Sequence, residues 1–138
     1  MTPRTFATLD TVGYHAAAGL VANGAAALAA VGAELLVLSG VPRADTSKML
    51  GPLLRSVAEN VERLGFPDAL TGPVRRGDAA AIERQIALLG ERLASALPLF
   101  VASAWAQLPL ARTIGDAPPE AFDAMATVLT KAMNRKRR

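Results

Sequence analysis

The side chains of this sequence that could do chemistry at neutral pH are few and widely spaced. Tyr14 and His15 stand together, Asn23 follows, Asn60 stands alone, and Leu70 to Asp78 (Leu-Thr-Gly-Pro-Val-Arg-Arg-Gly-Asp) holds the densest set of special residues. A histidine titrates near neutral pH, so His15 is the candidate proton donor. It has no acidic neighbour in sequence to form a dyad, which leaves a hydrogen-bonded structural role equally open. Asn23, Asn60, Thr71 and Arg76 are the other polar candidates, and Asn60, near an apolar face, must find a partner in another helix, a loop carbonyl or a ligand. A metal centre has little to draw on. The chain has no cysteine and one histidine, so a site would need carboxylates, and no ligand cluster appears.

In the loop, Gly72 and Pro73 shape a tight turn, since glycine tolerates positive φ and proline fixes its own. Gly77 releases the backbone again, and Asp78 is suited to cap the helix that follows. Arg75 and Arg76 therefore fall at a helix N-terminus, where backbone N–H groups and the helix dipole favour anions. Two local outcomes compete with anion binding: Arg76 pairs with Asp78, or Asp78 itself occupies the helix pole. Arg76-Gly77-Asp78 also matches a short adhesion motif, but three residues recur by chance too often to carry weight.

These residues must be placed by helices. From about Val12 to Ser39 the chain is apolar on nearly all faces, and Gly40 and Pro42 close it. Its length would permit a membrane span. Its alanine and glycine content, with Tyr14, His15, Asn23 and Glu34, points instead to a buried central helix. His15 and Asn23 are eight residues apart, about 80° round an ideal helix, with Gly19 between them. Asp45 and Thr46 open a second helix, with Leu50, Leu53, Leu54, Val57, Ala58, Val61 and Leu64 at helical spacing and Asn60 near the same face. Pro52 predicts a kink or a fresh start, and Gly65 closes the segment. After Asp78, Ile82, Ile86, Leu89, Leu93 and Leu97 form one face. Pro98 starts a segment that Pro109 is expected to break. Asp116-Ala-Pro-Pro-Glu120 signals the last helix, striped by Phe122, Met125, Ala126, Leu129, Ala132 and Met133.

The pattern predicts an all-α fold of five to six helices, a single domain over residues 1–138 with an ordered core over 10–133. Hydrophobic residues make up 51% of the 138, yet aromatics only 4%, which favours close helix packing through small side chains. The net charge is +3, of which Asn134-Arg135-Lys136-Arg137-Arg138 supplies four positive charges, so the body is near neutral. With no basic face behind it, that 134–138 tail reads as a solvated end and implies no nucleic-acid partner. No basic-then-apolar leader opens the chain. A cytoplasmic protein without a membrane partner is expected.

Tyr14-His15-Ala16-Ala17-Ala18, Ala22-Asn23, Asn60, Leu70-Thr71-Gly72-Pro73 and Arg76-Gly77-Asp78 keep the order of one family. The chain resembles, over about Val12 to Leu97, the C-terminal helical domain of unknown function in Rossmann-like NAD(P)-dependent oxidoreductases. That domain is similar in fold to the C-terminal domain of 6-phosphogluconate dehydrogenase. The resemblance implies a substrate-binding and dimerisation domain, with His15 catalytic and Asn23, Asn60, Thr71 and Arg76 at a substrate cleft. Gly72, Pro73, Gly77 and Asp78 would shape that cleft's loop.

Two departures qualify the match. No Gly-x-Gly-x-x-Gly follows a strand, so this chain is expected to bind no cofactor alone, NAD(P) being implied for a complete family member. Gln85 also stands where the family is expected to favour histidine. Redox activity would then need a Rossmann-domain partner or a missing N-terminal half. An Ala/Gly-rich helix left open by that half implies a homodimer. The alternative is a free-standing helical binding or scaffold protein that lost the redox role.

Overall fold

The computed structural model describes residues 2–135, and every regular element among them is helical. Lys136, Arg137 and Arg138, most of the expected basic tail, lie outside the described residues. The chain divides into two compact units, Met1–Gly51 and Pro52–Arg138.

In the first unit, α1 (Thr11–Ala18) passes through a π-helical turn (Gly19–Asn23) into α2 (Gly24–Leu38), forming one helix of 28 residues. Asp10 caps it, its Oδ1 accepting the Val12 N–H at 3.0 Å. At the far end Gly40 takes φ +99°. The Val41 N–H reaches the Leu36 carbonyl at 2.9 Å and the Gly40 N–H reaches Val37 at 3.0 Å, a Schellman closure. The next helix, α3 (Arg43–Leu64), starts two residues before the expected Asp45. Arg43 grips Glu34 with both ends of its fork, at 2.5 and 3.1 Å. This hydrogen bond, with the guanidinium charge, holds the Glu34 carboxyl below its ordinary pKa. Leu50 packs beside Gly32 of α2, where a Cβ would meet Leu50 Cδ2 at 3.6 Å, an ordinary van der Waals contact.

The buried central helix is not what forms. No residue of α1, the π turn or α2 is buried. The first unit offers this helix only the opening turns of α3, too little surface to enclose a helix that is apolar all round. Thr11–Leu38 and Ala94–Ile114 are each long and apolar enough to cross a membrane, by length and composition only. Core helices of soluble proteins pass the same test.

The second unit takes the rest of α3 and then α4 (Ala79–Arg92), a 3₁₀ turn (Ala94–Ala96), α5 (Leu97–Ile114) and α6 (Pro119–Asn134). α4, α5 and α6 enclose a core to which α4 gives Ile82 and Ile86, α5 gives Val101, Ala104, Leu108 and Ala111, and α6 gives Phe122, Met125, Leu129 and Ala132. The apolar spacings read from α4 and α6 are thus core spacings. Met133, assigned to the same stripe, is exposed.

Both interior prolines are absorbed instead of breaking their helices. α3 runs through Pro52, whose ring meets no Cβ on the preceding Gly51. α5 runs through Pro109 because one buried face, Val101, Ala104, Leu108 and Ala111, extends on both sides of it. Burying that face offsets the ~3 kcal/mol a mid-helix proline costs. Leu93 and Leu97 are not on the α4 face either: α4 stops at Arg92, and Leu97 is the first residue of α5. Gly115, at φ +73°, ends α5, and the extended Pro118 leads into α6.

Candidate functional site

The loop before α4 has the geometry its residues imply. Gly72 takes φ +92° and Gly77 φ +66°. Between them Pro73 to Arg76 makes a single turn, closed by Asp78 N–H to the Pro73 carbonyl at 2.9 Å and Gly77 N–H to Val74 at 3.0 Å. The Asp78 carboxylate caps α4, accepting the Ala81 N–H at 3.0 Å. The helix pole is therefore occupied by the protein's own carboxylate, and no Arg76–Asp78 ion pair forms among the described residues. Val74, at the apex of the turn, is buried in the core.

Arg75 and Arg76 part company here. Arg75 turns inward, its Nε donating to Asp116 Oδ2 at 2.7 Å and its Nη1 to the carbonyls of Asp68 at 3.0 Å and Leu70 at 2.7 Å. It ties both arms of the loop to the α5–α6 connection. Local sequence gave no signal of this, because Asp116 lies 41 residues away. Arg76 is exposed and has no ion-pair partner among the described residues. Arg75→Met is accordingly expected to cost about 1–3 kcal/mol, leaving two carbonyls and a carboxylate without their donor. Arg76→Met should stay within about 0.5 kcal/mol. Urea unfolding of the two variants checks the contrast.

The candidate residues divide between the units: His15 and Asn23 in the first, Asn60, Thr71 and Arg76 in the second. His15 and Asn23 are exposed, with the Tyr14 ring 5.7 Å from that of His15. The π turn changes their relation. The Gly24 N–H bonds to the Gly19 carbonyl, a five-residue step in place of four. One extra residue in a turn removes about 100° from the register, so the ~80° offset of an ideal helix falls to about −20°. His15 and Asn23 thus stand nearly in line, about two turns apart. Asn60 is half-buried on α3, and Thr71 is exposed at the mouth of the loop.

An apolar cleft of about 460 Å³ opens between the start of α5 and the end of α6, lined by Leu97, Val101, Trp105 and Met133 among others. None of the polar candidates lines it. No cluster of three metal-ligating side chains occurs among the described residues. Nor does a strand.

The fold defines an all-α protein with a capped, glycine-shaped loop and an exposed apolar helix carrying His15 and Asn23. Within that class the chain belongs to the family described as a domain of unknown function (DUF2520), whose model matches residues 2–104. No curated protein and no solved structure matches it.

Proposed function

We propose that this chain is the substrate-binding and dimerisation domain of an NAD(P)-dependent oxidoreductase, the cofactor being held by a nucleotide-binding half outside this sequence. The observation that supports it best is the π turn. Such turns often occur at functional sites, and this one draws the chain's one histidine and Asn23 onto a single exposed face. His15 there holds or releases a proton, and Asn23 orients a polar substrate group. Asn60, Thr71 and Arg76, all in the second unit, are proposed as separate hydrogen-bonding residues for a substrate. The chain's fold is proposed to be of the 6-phosphogluconate dehydrogenase C-terminal type, and its location cytoplasmic.

The competing role is a free-standing helical binding or scaffold protein. One observation favours it: Arg75, Gly77 and Asp78 are all accounted for by folding, so the loop needs no ligand to explain it. The mass of the native polypeptide separates the two. A band near 30 kDa, one more domain of ordinary size, or a co-purifying nucleotide-binding protein is expected. In that assembly His15→Ala should lower kcat by about 10²-fold or more. A solitary 14.3 kDa species with no such partner would overturn the oxidoreductase role.

A further inference from the structure

We draw no further inference here: the strongest candidate, the apolar cleft between the start of α5 and the end of α6 lined by Leu97, Val101, Trp105 and Met133, carries nothing, because the unpartnered Trp105 Nε1 beside it is itself sealed from solvent and nothing in the structure shows what fills or covers the cleft.

Discussion

Replacing Gly77 with alanine is expected to lower the melting temperature by about 10 °C, the largest effect of any single methyl group added to this chain. Two costs add. At φ +66° an L side chain sits in the left-handed region, worth about 1–2 kcal/mol. The new Cβ would also lie 2.9 Å from the Cβ atoms of both Ala117 and Ala121. Those atoms belong to the α5–α6 connection and the first turn of α6, and Phe122 Cε1 is a third neighbour at 3.6 Å. Overpacking of that kind costs about 1–3 kcal/mol more, and the sum converts to the stated shift in a domain of this size. Gly72→Ala is the control. Its φ is +92°, but nothing lies within 4 Å of its added Cβ, so only the backbone cost applies. Thermal melts of the two variants read the difference, and equal losses would show that the contact with α6 carries no weight.

A chain ending after Ala104, the last residue of the family match, should show no cooperative thermal transition. It would keep Val74, Ile82, Ile86, Val101 and Ala104 but lose Leu108, Ala111 and everything α6 contributes. Met125 and Leu129 are wholly buried and Phe122 nearly so. Phe122→Ala alone should cost about 3–5 kcal/mol, a large part of the ~5–15 kcal/mol that holds an ordinary domain together. Removing the whole helix leaves α4 and the first turns of α5 with one wall of their core missing. Circular dichroism melts of the truncated and full chains decide the matter. A sharp transition from residues 1–104 would mean that α6 only decorates a core that closes without it.

Arg75 shows where a local reading stops. Its position beside Arg76 and before a helix suggested an anion site, since both arginines share the same short-range context. Which one turns inward depended on Asp116 and on two carbonyls at the start of the loop. Nothing in the nearby sequence separates the two. The prolines teach the same lesson in reverse. Pro52 and Pro109 carry the strongest local signals for a break, yet the Gly51 that precedes one and the buried face that straddles the other let both helices continue. For the candidate site, residue types and order were legible, but the alignment of His15 with Asn23 was not. It follows from a π turn whose one-residue insertion leaves no mark in an Ala- and Gly-rich stretch.

By itself the sequence determined the helices and their punctuation. Apolar spacings fixed the inward faces of α4 and α6, and Gly40, Gly77 and Asp78 fixed where elements begin and end, because these effects act within a few residues. Tertiary structure alone decided which apolar helices are buried. α1 and α2 are strongly apolar yet bury no residue, while α5 carries Pro109 and buries one face. Burial depends on which surfaces the rest of the chain can bring against a helix, and composition sets only how much is gained when they arrive.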